Sequence, residues 1–366
     1  MIYVSCSPGE WRVAVLEPDG TLLDYAIDRP GRPNGVGDVL RGRVVAHVPA
    51  MAGAFVALPD AEGFLPDSAG AAGLGAGDAI RVRITRAAQG GKGPRLTVDG
   101  TTNAGPPMLI ARGPCAALRL AALHPSAPVL VDDPAVAALW RGTLGDRLRP
   151  GGFDDAIEAQ VDALAGPTVA LPLGMAATIT PTPALIAIDV DLGAATAGRV
   201  AKVAVQRDAN RAAIPALARQ VRLRNLGGAI VIDLAGMPIR RRAALAPDFV
   251  AALASDPIMP RFLGFSALGL AEILRPRVHP PLHALLAGPH AAGLVALRQL
   301  DRDCAADPAT ARHVVAAPDV HRALADDAVA TGDVLRRTGR PLVVRSDPTL
   351  APGTARVERV ERDEHG

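Results

Sequence analysis

Three aspartates that follow short apolar runs have the residue type and spacing of a metal site. Asp189 and Asp191 end the run ALIAIDVD, and Asp233 follows GAIVI. Residues two apart on a strand point to the same face, so Asp189 and Asp191 would present their carboxylates together. Mg²⁺ prefers such hard oxygen ligands. The pattern predicts a magnesium site with Asp189, Asp191 and Asp233 as ligands; alternatively, each aspartate caps the turn after its strand.

The segments around these aspartates have an α/β pattern that would bring the strand ends together. From about Pro128 short apolar runs alternate with helical periodicity. A helix is predicted from about Val200 to Arg224, and Pro215 inside it predicts a kink or a new first turn. A further helix is predicted near 243–255, followed by the strand-like RFLGFSALGLAEI. Acidic residues at the ends of neighbouring strands are a common way to build a site.

The remainder of the chain divides into shorter patterns. Residues 1–36 predict a β-hairpin with its turn at Pro18-Asp19-Gly20. Alternating apolar residues between Val39 and Thr97, separated by Gly, Pro and Asp, predict the strands of a small closed barrel. Residues 99–128 look irregular. Beyond Pro281, HALLAGPHAAG predicts a linker, and residues 294–360 predict a small α+β unit.

The composition indicates the class of protein but does not identify a partner. The 366 residues are 49% hydrophobic and 21% charged, which is typical of a globular protein, and the net charge of +2 neither requires nor excludes nucleic acid. Cys6, Cys115 and Cys304 are far apart, so neither a disulfide framework nor a zinc site is expected. An apolar run of about 20 residues is missing, so we expect no membrane span and a cytoplasmic protein.

A stretch of about 100 residues resembles the ribonuclease E/G family. It contains IAIDVD, then ARQVRLRNLGGAIVIDLAGM, then GLAEILRPRVHPPL, in the order and spacing of that family, and Asn210 falls where the family has an Asn. The resemblance implies that Asp189 and Asp233 are the catalytic magnesium ligands. Asp191 stands where the family usually has an Asn that orients the metal shell. The reaction implied is hydrolysis of phosphodiesters in single-stranded RNA.

The barrel segment resembles the S1 domain of the same family. RGRVVAHVPAMAGAFVALPDAEGFLP and QGGKGPRLT carry the likeness. It places Phe55 and Phe64 on base-stacking positions and Lys92 on a basic position of an OB-type barrel. The alternative for both Phe residues is a place in the barrel core.

The segment from 219 to 277 is basic, with nine Arg against Asp233, Asp248, Asp256 and Glu272. Arginines around an acidic site fit contacts with the phosphate backbone, and Arg222 and Arg224 are the candidates. The alternative is a solvated helix face, particularly for Arg240–Arg242.

The sequence departs from the family at three functional features. The segment before Pro128 lacks the family sequence that senses a 5′-monophosphate, and Met259 replaces the Arg that completes that pocket, so we expect 5′-end sensing to be lost. The zinc-binding C-P-x-C motif is missing after Leu282, so no zinc is expected. A homodimer through the C-terminal small domain remains compatible with this loss. Ala212 replaces a family Glu.

These observations combine into a multidomain α+β architecture. The predicted parts are an RNase H-like split domain (1–36 plus 125–170), an S1 RNA-binding barrel (37–98), a DNase I-like α/β catalytic domain (171–282), a linker in place of the zinc link (283–293) and a small C-terminal domain (294–366). The predicted function is that of a Mg²⁺-dependent endoribonuclease on single-stranded RNA. The alternative is an RNA-binding or assembly protein that kept the scaffold and lost turnover.

Overall fold

The computed structural model describes residues 1–193 and 202–360, with side chains for all of them except 202–204. The chain divides into two compact units. One consists of Met1–Pro33, Cys115–Glu158 and Leu282–Gly366, and the other of Asn34–Pro114 and Ala159–Pro281. Both contain helices and strands, so the mixed α+β class is confirmed. The predicted helix start at Val200 lies outside the described residues.

The helices and strands of the described residues follow one another in a regular order along the chain. The strands are β1 (Ile2–Ser7), β2 (Glu10–Leu16), β3 (Leu22–Asp28), β4 (Val39–Val48), β5 (Gly53–Ala57), β6 (Glu62–Pro66), β7 (Ala79–Arg86), β8 (Arg95–Val98), β9 (Met108–Ala111), β10 (Val129–Val131), β11 (Leu148–Pro150), β12 (Thr168–Ala170), β13 (Ala176–Pro181), β14 (Leu185–Asp191), β15 (Gly228–Asp233), β16 (Arg261–Phe265), β17 (Ala271–Arg275), β18 (Arg312–Ala316), β19 (Val344–Ser346) and β20 (Ala355–Arg359). The helices are α1 (Ala116–Leu123), α2 (Pro134–Leu144), α3 (Asp155–Asp162), α4 (Lys202–Leu223), α5 (Ile239–Arg242), α6 (Ala246–Leu253), α7 (Leu282–Leu285), α8 (Gly288–Ala306), α9 (Pro318–Ala325) and α10 (Ala328–Thr338).

The N-terminal residues form an antiparallel meander that is extended by two parallel strands. The sheet order is β11-β10-β1-β2-β3, with β10 parallel to β1 and β11 parallel to β10. Its core contains Ile2, Val4 and Trp140. The prediction of an irregular segment at 99–128 was wrong in part, because β9 and α1 form there. The small residues of α1 allow close packing, and Ala117 and Leu120 join the same core.

Strands β4 to β8 close into a barrel that fits an S1 or OB-type domain. The strand order around it is β4-β5-β6-β8-β7 and back to β4, and β9 pairs with the outside of β4. Alternate residues such as Val56, Leu65, Val82 and Leu96 point inward and form the core. The outward positions are therefore left for polar or aromatic side chains.

The sheet that carries the predicted aspartates has helices packed on one face. Its order is β12-β13-β14-β15-β17-β16. Apolar residues at alternate positions, such as Ile188 and Ile232, are buried against Ile214 and Leu217 of α4 and Phe249 of α6. The alternating residues of β14 and β15 on the other face are partly or fully exposed. Pro215 lies inside α4, and the helix extends on both sides of this proline as one element.

The C-terminal segment is more helical than predicted. The linker prediction for 283–293 was wrong, because α7 and α8 occupy most of this range. Gly288 has a φ of +87°, which glycine adopts without strain, and a proline follows it in the first turn of α8. The predicted helix DVHRALADDAV is two helices, since Asp327 accepts a hydrogen bond from the backbone N–H of Ala330 and begins α10.

Asp133 joins a helix cap to a buried ion pair. It accepts hydrogen bonds from the backbone N–H groups of Ala135 and Val136 at 2.9 and 3.3 Å, and Arg336 and Arg337 donate to it at 2.8 and 2.7 Å. Burial opposes its ionisation, but the bonds from Arg336 and the two backbone N–H groups outweigh that effect. The pKa of Asp133 is consequently lowered from the ordinary 3.8.

Because the folded-state pKa of Asp133 is lowered, its ionised form stabilises the fold above about pH 4, and this contribution is lost as the pH falls through the folded-state pKa. We expect Asp133→Asn to lower the free energy of unfolding by about 2 kcal/mol at pH 6 and by much less at pH 3. Asparagine still caps the helix, so the charge is the main change. Urea unfolding at both pH values measures this, with the exposed Asp326→Asn as control. An equal deficit at both pH values would contradict the interpretation.

Candidate functional site

Asp189 and Asp233 are direct neighbours on two parallel strands. The register of β14 and β15 pairs Ile188 with Ile232 and Asp189 with Asp233. Because the isoleucines point into the core, both aspartates point to the open face of the sheet, where both are exposed. Adjacent strands lie about 4.8 Å apart, so the two carboxylates are carried by directly neighbouring residues of paired strands.

Asp191 forms a local turn in the structure, whereas the sequence predicted a metal ligand. It is the last residue of β14 and shares the open face with Asp189, but its Oδ1 accepts the backbone N–H of Gly193 at 3.0 Å. This is the local turn that aspartate favours after a strand. Across residues 1–193 and 202–360, no three His, Cys, Asp or Glu side chains are grouped closely enough to hold a metal ion. The predicted three-carboxylate ligand set is therefore corrected to a pair.

The pair of Asp189 and Asp233 fits what a magnesium site needs from a protein. Mg²⁺ is usually bound through one or two carboxylates and keeps several waters. The side chain of Asp233 is 54% exposed, and one of its oxygens, Oδ1, is engaged by Arg242 at 2.8 Å. Its Oδ2 and the exposed carboxylate of Asp189 are thus on the solvent side of the sheet. These two side chains are the ones that could hold the ion.

Arg242 fixes the loop that follows Asp233. Its guanidinium donates to Asp233 and also to the backbone carbonyls of Leu234, Met237 and Gly269, at 2.9 to 3.0 Å. Its side chain is only 10% exposed. Two alternatives were expected for it, a solvated helix face or a phosphate contact, and the structure shows neither. The RRR run contained no signal that one arginine would be buried.

Asn210 anchors the same loop from α4. It is fully buried, and its amide donates to the carbonyls of Gln206 and Ala235 at 2.8 and 3.0 Å. Its side-chain oxygen accepts the N–H of Ala235 at 3.2 Å. An asparagine that satisfies both backbone groups of one residue holds that residue in place. The end of β15 is therefore held from two sides, by Asn210 and by Arg242.

Two aromatic rings lie side by side on the outside of the barrel. Phe55 and Phe64 are paired across β5 and β6, with ring centroids 5.6 Å apart and an interplanar angle of 65°. Both are half-buried, and neither belongs to the buried core of the barrel. They lie at the surface, so the alternative of two core residues does not apply. Whether they stack on bases stays a prediction.

Basic residues continue this row across the barrel. Phe64 pairs with Arg95 on β8, and Arg95 pairs with Arg86 on β7. The backbone N–H of Ala87 donates to the carbonyl of Val278 at 2.9 Å, which joins the barrel to the segment after β17, where Arg277 lies. Burial, together with the charges of Arg95 and Arg277, lowers the pKa of Arg86. We define Phe55, Phe64, Arg95 and Arg86 as the barrel row.

The cations of the barrel row have spare hydrogen-bonding capacity. In the described parts of the chain, the buried Nε of Arg86 has no hydrogen-bond partner, and no hydrogen bond or ion pair is formed by the exposed guanidinium of Arg95. Lys92 is exposed at the tip of the neighbouring hairpin, where Gly90 and Gly91 adopt φ values of +61° and +72°. Like charges held together without an acid favour binding of an anion.

Arg224 is structural, which corrects its prediction as an RNA contact, whereas that role stays a prediction for Arg222. Arg224 is 7% exposed and donates to Gln220 and to the carbonyl of Gly166, at 2.9 and 2.6 Å. Arg222 is half-buried and donates to the carbonyl of Ser255 at 2.8 Å. Arg222 lies in the last turn of α4 and Arg224 directly follows the helix, and the carbonyls that they bind belong to other segments. The Nε and both terminal nitrogens of Arg224 thus donate to protein groups.

Comparison with known proteins confirms the resemblance noted in the sequence. Residues 153–278 match the model of the Ribonuclease E/G family. Ribonuclease E of Escherichia coli (strain K12) is 33% identical over 170 residues, which cover 42% of this chain and 16% of that protein. Ribonuclease E of Nostoc sp. (strain PCC 7120) is 38% identical over 122 residues, 33% of this chain and 18% of the relative. Ribonuclease G of Escherichia coli (strain K12) is 36% identical over 109 residues, 30% of this chain and 22% of the relative.

The similarity to the ribonuclease E/G family therefore includes residues 153–278. The matched stretch spans about a fifth of the length of these relatives. It contains Asp189, Asp233, Asn210 and Arg242, so the whole aspartate pair and its support lie inside it. In the same residues that the structure describes, no helix is long and apolar enough to cross a bilayer.

We expect Arg242→Met to lower the free energy of unfolding by about 3 kcal/mol, because it leaves buried carbonyl groups and one carboxylate oxygen without their donor. Urea unfolding measures the change. Arg241→Met is the matched control, since Arg241 is the preceding residue and is exposed. If the two variants were destabilised equally, Arg242 would not be the anchor of this loop.

Proposed function

We propose that this protein is a Mg²⁺-dependent endoribonuclease that hydrolyses phosphodiesters in single-stranded RNA. The observation that carries the proposal is the register pair of Asp189 and Asp233, exposed side by side within a ribonuclease E/G family segment. A pair of carboxylates on an open sheet face is what a hydrolytic magnesium site requires from the protein. The barrel that fits an S1 or OB-type domain supports RNA as the substrate.

In the proposed site, two aspartates bind the ion and two further residues hold the loop after β15 in place. Asp189 and Asp233 would hold Mg²⁺, which would supply Lewis-acid chemistry to the bound water and the phosphate. Arg242 keeps one oxygen of Asp233 engaged, so the carboxylate cannot rotate freely. Asn210 fixes Ala235, two residues further on. The rigid loop thus keeps Asp233 beside Asp189 before substrate arrives.

The barrel row is the proposed track for the RNA strand. Stacking on aromatic rings and contact with cations are the two interactions by which OB-type barrels hold single strands. Phe55 and Phe64 offer the rings, and Arg95 and Arg86 continue from them towards Arg277. The strand would then pass from the barrel to the segment that follows β17 of the sheet with the aspartate pair. Lys92 adds an exposed cation beside this row.

The proposed activity does not depend on a 5′-monophosphate. Met259 stands where the family has an Arg for this purpose, and its side chain is 78% exposed with a φ of +54°. An exposed thioether offers no charge to a phosphate. Oligonucleotides with a 5′-hydroxyl and with a 5′-phosphate should accordingly be cleaved at similar rates.

The aspartate pair can be tested against its own neighbour. With Mg²⁺ and a 5′-hydroxyl single-stranded RNA, we expect Asp189→Asn and Asp233→Asn each to reduce the cleavage rate at least 100-fold. Removal of one oxygen donor and one charge from a two-carboxylate site weakens the ion's attachment directly. Asp191→Asn is the matched control, because it removes the same charge from the same face of β14, and we expect its rate to stay within threefold of wild type.

The rates are measured by gel analysis of product formation, with and without Mg²⁺. Equal activity of wild type and Asp233→Asn would contradict the proposed enzyme. RNA binding without Mg²⁺-dependent cleavage in the wild type would instead support an RNA-binding protein that has lost turnover.

The barrel row can be tested through the salt dependence of binding. Removal of one cation that binds a phosphate should reduce the slope of log affinity against log salt by about 0.7 for a single strand. We expect Arg95→Gln to show this reduction, and Phe64→Leu to weaken binding by roughly tenfold with the slope unchanged, since stacking carries no charge. Fluorescence anisotropy with a labelled oligonucleotide measures both. Arg43→Gln, exposed on β4, which contributes no residue to the row, is the control, and a slope change as large as that of Arg95→Gln would contradict the assignment.

A further inference from the structure

A polar cavity of about 490 Å³ lies where β1 and β10 end, in the unit that contains the N-terminal sheet. These two strands are parallel neighbours, and the chain leaves them in opposite directions. From β1 it continues to β2 on one side, and from β10 it passes through α2 to β11 on the other. A crevice outside the carboxyl ends of strands at such a reversal is the usual ligand position in open α/β sheets.

Positive charge exceeds negative charge around the cavity. Five arginines and four acidic residues line it. Three of those acids already have partners, because Arg12 donates to Glu158, while Arg336 and Arg337 hold Asp133 and Asp301. The fourth, Asp132, accepts the N–H of Cys6 at 2.8 Å, and burial raises its pKa. Three of the four acids are therefore already paired with arginines, and some guanidinium donors remain without an acceptor.

The excess donors belong to three arginines. The side chain of Arg12 is only 3% exposed and lies over the ring of Phe153 at 5.0 Å, yet its buried Nε has no partner within the described residues. Arg298 donates from one terminal nitrogen to Glu10, but its buried Nε likewise has no partner within the described residues. Arg302 forms no hydrogen bond or ion pair with any residue that the structure describes, and it is exposed at the cavity. Buried donors without an acceptor point to an absent ion, ligand or water.

We propose that this cavity binds a small phosphorylated ligand through Arg302 and the Nε groups of Arg12 and Arg298. A phosphate group presents several acceptor oxygens in a tetrahedral arrangement and can accept from guanidinium groups on different elements. The volume falls in the range of small-molecule sites and exceeds what a phosphate group alone needs. The aromatic ring of Phe153 gives part of the wall an apolar surface for the remainder of such a ligand.

The test uses the full chain without RNA. Isothermal titration calorimetry is run with inorganic phosphate and with 5′-AMP, in chloride buffers of equal ionic strength. We expect saturable binding with one site per chain. Arg302→Gln should weaken the Kd at least tenfold, because it removes a charged donor from the ligand but no contact from the fold. Arg345→Gln, another exposed arginine of the same unit, should bind as wild type does.

The two probes distinguish the sources of the phosphate group. Binding of inorganic phosphate alone identifies free phosphate as the occupant, and binding of 5′-AMP at least as tightly identifies a phosphomonoester. Failure of both to bind saturably, or equal binding by wild type and Arg302→Gln, overturns the proposal. The RNA-cleavage experiment tests Asp189 and Asp233, which lie in the other unit. The result of the phosphate titration therefore neither supports nor contradicts the proposed endoribonuclease.

Discussion

The structure depends on the parallel pairing of β14 with β15, because the register of these two strands decides which side chains meet. With Ile188 opposite Ile232 in the core, Asp189 must lie opposite Asp233 on the open face. A shift of one residue would place an aspartate among buried aliphatic side chains, which costs far more than any contact it could gain. The apolar face of the sheet thereby positions the polar pair. The burial of α4 and α6 against that face is what holds the register.

The support of the pair is polar and lies immediately beyond the end of the strand. Arg242 and Asn210 satisfy backbone groups of residues 234–237 and so define the path of the chain after Asp233. A buried arginine and a fully buried asparagine are costly unless every donor and acceptor has a partner. Their partners in this loop are main-chain groups of Leu234, Ala235 and Met237, and the carbonyls of Gln206 and Gly269 and the carboxylate of Asp233 accept the remaining hydrogen bonds. This explains why a short connection can keep a carboxylate in a fixed place at an otherwise open sheet face.

The sequence patterns predicted the strands whose apolar residues recur at a regular spacing. Period-two alternation in the barrel and the apolar runs before Asp189 and Asp233 predicted the strands, and these strands formed. The patterns did not predict whether an individual polar side chain is solvated or forms hydrogen bonds with the backbone. Arg224 and Arg242 suggested a basic surface, but their guanidinium groups are buried and donate to carbonyls. Asp191 suggested a third ligand, but it closes its own turn. The linker prediction failed because Gly288 and Pro289 begin α8 as readily as they would interrupt an extended chain.

The central claim is that Asp189 and Asp233 together form the divalent-ion site. Its most direct measurement is a crystal structure of the protein grown with Mn²⁺ in place of Mg²⁺, with the ion located by its anomalous signal. We expect one peak within coordination distance of a carboxylate oxygen of both Asp189 and Asp233. A peak bound only at Asp191, or a peak at other residues with this pair free of metal, would contradict it.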